Sequence, residues 1–141
     1  MGSEMCIRDR SWKVALERTD GPSSLLFSRQ GLTPQKRNEQ QLADVSKGGY
    51  VIVDSQDPQA ILIATGSEVS LAVDAQAELA SQGINCRVVS MPSTNVFDRQ
   101  SAAYRESVLP ESIAARVVIE AGVSGGWDKY CLLYTSDAAD E

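Results

Sequence analysis

Histidine is missing from the 141-residue chain altogether. Its absence removes the Ser-His-Asp and Cys-His catalytic arrangements, and with them the commonest metal ligand. Cysteine is scarce: Cys6, Cys86 and Cys131 are scattered and follow no CxxC spacing, so neither a disulfide framework nor a zinc site is supported. Cys86 lies inside the apolar stretch INCRVVS and reads as a buried, inert thiol. Basic charge is also short, with 13 Lys and Arg against 19 Asp and Glu and a net charge of −6. That balance argues against nucleic acid, whose binding calls for a cationic surface. No apolar run approaches the ~20 residues that cross a bilayer, and MGSEMCIRDRSWK lacks the apolar segment of a signal peptide. The expectation is a cytoplasmic protein with no membrane contact. What is present is ordinary: 43% hydrophobic residues in one domain's length, enough to bury a core without cross-links.

The two ends read differently from the middle. Met5 to Arg10 and Cys131 to Ser136 can be encoded by opposite strands of one short oligonucleotide, which resembles the mosaic end of transposase adapters used in sequencing libraries. Residues 1–10 and 131–141 are therefore expected to be non-native, adapter-derived tails and fall outside fold reasoning. Half of the net charge of −6 sits in Asp137, Asp140 and Glu141 of the second tail, so the acidity of the remainder says nothing about partners.

Between the tails, the apolar run Ser23 to Ser28 (SSLLFS) follows the turn Gly21-Pro22 and predicts a buried strand. Residues 33–49 are polar, begin near Pro34 and end at Gly48-Gly49, a composition suited to a linker crossing a surface. Tyr50 to Asp54 alternates and is β-branched, fit for an edge strand. Ala60 to Thr65 (AILIAT) is continuous, as expected of a strand covered on both faces. Ser67 then offers an N-cap and Gly83 a C-terminal stop to a helix whose apolar positions start at Val69. Ile84 to Ser90 is the next strand, which makes a β-α-β unit with parallel strands. Asp98 to Val108 is helix-compatible and stops before Pro110, and Ala115 to Glu120 (ARVVIE) reads as a third buried strand. The fold class expected is α/β: an open three-layer α/β/α sheet, mostly parallel, truncated at its C-terminal end, with an apolar edge exposed there.

Sites in open α/β sheets lie beyond the C-terminal ends of strands. Three places qualify. Thr65-Gly66-Ser67 runs from a strand into a helix N-terminus that could hold an anion, but it lacks the further glycines of a dinucleotide fingerprint, and a structural cap is the better reading. Glu120, before Ala121-Gly122, has no paired carboxylate or base nearby and suits a capping or ion-pair role. Arg29 in Ser28-Arg29-Gln30 could grip a phosphate with two parallel bonds or simply be solvated or ion-paired. No self-contained catalytic set emerges from the residues.

The segments DGPSSLLFSRQGL, GGYVIVD, IATGSEVSLAV, RVVSMPST, FDRQSAAYRESVLP and ARVVIEAG, in that order, resemble the transketolase family across essentially all of Ser11 to Tyr130. SRQ, the MPST…FD pair and YRESVLP carry the family-specific part. Related thiamine-dependent enzymes, such as deoxyxylulose-phosphate synthase or the β subunit of a 2-oxoacid dehydrogenase, share only ATGSEV, a helix, Gly-Ile and a VV strand. A stand-alone, non-catalytic α/β module is the other competing reading.

The resemblance implies an organisation: residues 11–32 end a pyrimidine-binding domain, 33–49 link, and 50–130 form an incomplete transketolase C-terminal domain. It implies a homodimeric enzyme that uses thiamine diphosphate and a divalent metal, Mg or Ca. That enzyme moves a two-carbon ketol unit from a ketose phosphate to an aldose phosphate. Arg29 matches the family arginine that contacts the substrate phosphate. The family's diphosphate and metal motif, activating glutamate and substrate histidines precede Ser11, so the resemblance implies no catalytic, cofactor or metal residue here. It implies too that this piece alone is inactive and binds no cofactor.

Overall fold

The computed structural model describes residues 2–123 and 125–131. Helix α1 covers Gly2–Glu17 and passes through Arg10–Ser11 without a break. An extended stretch leads from it to α2 (Glu39–Asp44), a short 3-10 turn (Val45–Lys47) and strand β1 (Tyr50–Val53). Then follow β2 (Ala60–Ala64), α3 (Glu68–Ser81), β3 (Cys86–Ser90), α4 (Thr94–Asp98), α5 (Ala102–Val108), β4 (Arg116–Ile119) and α6 (Asp128–Cys131).

The four strands form one sheet in the order β1-β3-β2-β4. β2 pairs in parallel with β3 and β4, while β1 runs antiparallel to β3. The expected open, mostly parallel sheet is thus present, with helices on both faces. Side chains alternate across β2. Leu62 and Ala64 face Val69 and Ala72 of α3 together with Cys86 and Val88. Ile61 and Ile63 face the other way, onto Phe97, Val108 and Tyr130. Ile61 and Ile63 are both fully buried, which explains why AILIA is apolar at every position. Truncating such a side chain to alanine costs about 2–5 kcal/mol.

Several boundaries differ from the sequence reading. The run Ser23–Ser28 forms no strand and pairs with none among the described residues, and Leu26 is 90% exposed. Its apolar residues meet a strand's requirement for composition, but a strand also needs a neighbour to take its N–H and C=O groups. The third predicted strand, β4, is an edge rather than a buried strand, with Val117 53% exposed, because β2 is its one partner among the described residues. The Asp98–Val108 helix is two: α4 ends at Asp98, and α5 restarts at Ala102 under Ser101, whose hydroxyl accepts the Tyr104 N–H. Ser67 does not cap α3 with its side chain. At the other end of that helix, Gly83 (φ +80) donates to Ala80 and Ile84 to Leu79, a Schellman closure that delays β3 to Cys86.

The stretch expected to be a linker is partly built in. Asn38 and Gln41 form a capping box at the start of α2, and Val45, Gly48 and Gly49 are buried. Gly48 (φ +84) closes the 3-10 turn against α4, and its carbonyl accepts the Ser93 N–H. The small α6 is tied to the sheet by Arg116, which donates to the carbonyls of Leu109, Pro110, Ile113 and Tyr130. Asp98 holds it as well, accepting from Tyr130 Oη at 2.6 Å and from Lys129 Nζ.

Candidate functional site

The C-terminal ends of β2, β3 and β4 form the crest where an open α/β sheet would place a ligand. Ser67, Ser93 and Glu120 on this crest are engaged locally. Gly66 takes a positive φ of +56 as β2 turns into α3. There Ser67 Oγ donates to Glu68 Oε1 at 2.8 Å, so a carboxylate already stands in the first turn of α3. A second anion at this helix end would be repelled. The cap expected from Ser67 is not formed, and the Glu68 carboxylate beside it makes this turn a poor place for a phosphate. Ser93 accepts the Val96 N–H to start α4. Glu120 Oε1 accepts the Gly122 N–H at 2.8 Å, the local role anticipated for it.

The two thiols described, Cys86 and Cys131, are no more reactive. Cys86 is fully buried, and burial pushes its thiol up, away from the nucleophilic thiolate. Cys131 is half-buried; burial pushes its thiol up too, although the Val118 N–H opposes this.

Arg29 sits on the extended stretch between α1 and α2, exposed, with neither hydrogen bond nor ion pair among the described residues. Ser28 and Gln30 beside it are exposed as well. The structure therefore brings none of the three sequence candidates together: Arg29, the Gly66 turn and Glu120 belong to separate local arrangements. A cluster the sequence reading missed lies elsewhere. Asp20 accepts from Arg18 Nε at 2.9 Å and pairs with Arg99 Nη1 at 3.5 Å, joining the turn after α1 to the end of α4. The only sequence signal for it is the Arg-x-Asp-Gly-Pro turn; Arg99 comes from far along the chain.

No three His, Cys, Asp or Glu side chains among the described residues converge to hold a metal. With the crest groups capped by their own neighbours, the residues present do not fit a diphosphate cofactor or its metal, and no chemical step is derived through either.

Residues 48–139 match the profile of the Transketolase-like TK C-terminal domain. The chain belongs to the transketolase family. It is 58% identical over 121 residues to Transketolase 1 of Vibrio vulnificus strain YJ016 and 55% identical over 121 residues to Transketolase 1 of Escherichia coli K12. Each alignment covers 85% of this chain and 18% of the relative. Among solved structures, transketolase from Leishmania mexicana superposes with a TM-score of 0.82 at 42% identity, covering 91% of this chain and 18% of that one. The Pichia stipitis R356L transketolase mutant, in complex with fructose 6-phosphate, superposes with a TM-score of 0.80 at 40% identity, covering 87% of this chain and 18% of that one. The chain thus spans under a fifth of the length of the transketolases it matches. These relatives favour transketolase over the related thiamine-dependent enzymes and over an unrelated α/β module. The open sheet with helices on both faces is the family's C-terminal fold.

Proposed function

We propose that this chain is the C-terminal part of a transketolase whose complete form transfers a two-carbon ketol unit from a ketose phosphate to an aldose phosphate. The observation that carries the reading is identity of 55–58% to named transketolases over 121 residues. Complexes of the Pichia stipitis enzyme with fructose 6-phosphate and sedoheptulose 7-phosphate support sugar phosphates as the substrate class. In this reading the complete enzyme is a cytoplasmic homodimer using thiamine diphosphate and a divalent metal, Mg or Ca, held by residues outside this chain. Residues 1–10 and 131–141 are foreign tails, 11–32 close the pyrimidine-binding domain, 33–49 link, and 50–130 belong to the C-terminal domain.

Within this chain the proposal assigns one site residue, Arg29, as the cation for the substrate phosphate. Its guanidinium is exposed and unpaired among the described residues, free to make two parallel charge-assisted bonds to a phosphate. The test is a full-length transketolase carrying residues 11–130 of this chain. Arg29→Ala should raise KM for the ketose phosphate about tenfold or more while an unphosphorylated ketose is used as before, since a charged hydrogen bond is worth about 1.5–3 kcal/mol. An equal loss with both ketoses would overturn the assignment. The chain alone should give no saturable heat with thiamine diphosphate and magnesium in calorimetry; saturable heat would overturn its assignment as the cofactor-free part.

A further inference from the structure

A groove of about 360 Å³ lies between α1, the turn that follows it, and α4, with Arg18 and Arg99 on its lining. That volume suits a small molecule, and junctions between structural units are common places for such sites. Its two guanidiniums converge on one carboxylate: Asp20 Oδ1 takes Arg18 Nε at 2.9 Å, and Asp20 Oδ2 faces Arg99 Nη1 at 3.5 Å. Two cations against one anion leave the cluster with an excess positive charge.

Arg18 is also pre-set. Its Nη1 donates to the Pro22 carbonyl at 2.8 Å, and its Nη2 lies 2.8 Å from where a Cβ would stand on Gly21. A glycine at that position lets the guanidinium fold back over the turn, so little side-chain freedom is left to lose on binding. Asp20 itself is 63% exposed at its side chain and is reachable from water. Ser93 and Asn95 add polar edges to the same groove.

We propose that this groove binds a small dianion of the phosphate-monoester class, with Arg18 and Arg99 as its cations and Asp20 as a built-in competitor that occupies them in its absence. A phosphate dianion offers both guanidiniums more charge and more acceptor oxygens than a single carboxylate does. The site is separate from Arg29, and the inference does not depend on the role proposed for that residue.

The test is titration of the full 141-residue chain with inorganic phosphate at constant ionic strength, followed by backbone amide NMR shifts. Saturable shifts are expected at Gly21, Asn95 and Arg99. Asp20→Asn should tighten binding about two- to fivefold, the worth of an exposed ion pair. Arg99→Ala should weaken it by at least as much, Arg99→Lys should retain most of it, and Arg29→Ala should leave it unchanged. Amide spectra of each variant show whether it is folded, so loss of the site is told from loss of the fold. Shifts that rise linearly without saturation, that survive the Arg18→Ala, Arg99→Ala double change, or that vanish with Arg29→Ala would each overturn the proposal. Weaker binding in Asp20→Asn would overturn the competitor role.

Discussion

Arg87 on β3 and Asp54 just beyond β1 form a two-point ion pair, Nε to Oδ1 and Nη2 to Oδ2, each at 2.9 Å. The same guanidinium uses Nη1 to reach the carbonyls of Ser107 and Val108 at the end of α5. One side chain thus ties the antiparallel strand pair to the helix below it. Arg87→Ala should cost about 1–3 kcal/mol in urea unfolding, more than a solvated pair, because two carbonyls lose a charged donor as well. Arg87→Lys should recover less than half of that loss, since an ammonium cannot serve both carboxylate oxygens in parallel.

Gly48 is expected to resist substitution. A Cβ there would stand 2.4 Å from the Ser93 carbonyl oxygen and 2.5 Å from the Phe97 nitrogen, and its φ of +84 disfavours any L side chain. Gly48→Ala should lower the thermal midpoint by well over the effect of a surface change, with a cost of about 2–4 kcal/mol. Gly83→Ala provides the comparison: it shares a positive φ of +80 but meets nothing within 4 Å. Its cost should be confined to backbone strain, about 1 kcal/mol.

Tyr104 gives the fold an alkaline limit. Its hydroxyl donates to the Gly49 carbonyl at 2.9 Å, and Lys47 Nζ lies 4.2 Å from the ring centre. Burial first, then the charges of Asp44 and Tyr50, push its phenol from 10.0 up to about 12. The unfolded chain therefore loses this proton at lower pH than the folded one. The contribution is complete below pH 10.0 and is lost as pH rises through about 12. Tyr104→Phe should cost about 1 kcal/mol at neutral pH and flatten the fall in stability above pH 10.0, as read by chemical unfolding across that window.

Val117 lies on the edge strand β4 with half its surface in water. Val117→Lys should reduce self-association in sedimentation experiments with little change in the thermal midpoint, because charge on an exposed edge strand discourages pairing between copies.

The β-α-β heart was legible because its signals are local. AILIAT is apolar at each step since both of its faces are covered, and Gly83 marks the end of α3 because only a positive φ allows that closure. Elsewhere the deciding partners are distant in sequence. SSLLFS has a strand's composition, yet pairing depends on a neighbour the run does not contain. Asp98 looked like the start of a helix and is instead the end of one, its carboxylate drawn to Lys129 and Tyr130. Gly48 and Gly49 read as linker because their lack of a side chain is also what allows close approach to α4. The family resemblance, not the residue pattern, singled out Arg29, and the Arg18–Asp20–Arg99 cluster had no local signal strong enough to find it.

Gln41 makes the two sides of the sheet unequal. Its side-chain amide donates to the successive carbonyls of Val51 at 3.1 Å and Ile52 at 2.9 Å, clasping β1 at its bulge from helix α2. On the opposite side, β4 has no comparable clasp among the described residues: Arg116 turns its guanidinium to the carbonyls of Leu109, Pro110, Ile113 and Tyr130 instead. An amide held by a capping box is a firm donor. Extension of the sheet is thus directional: an incoming strand, from this polypeptide or another, must unfasten a helix beside β1, but meets no such fastening among the described residues beside β4.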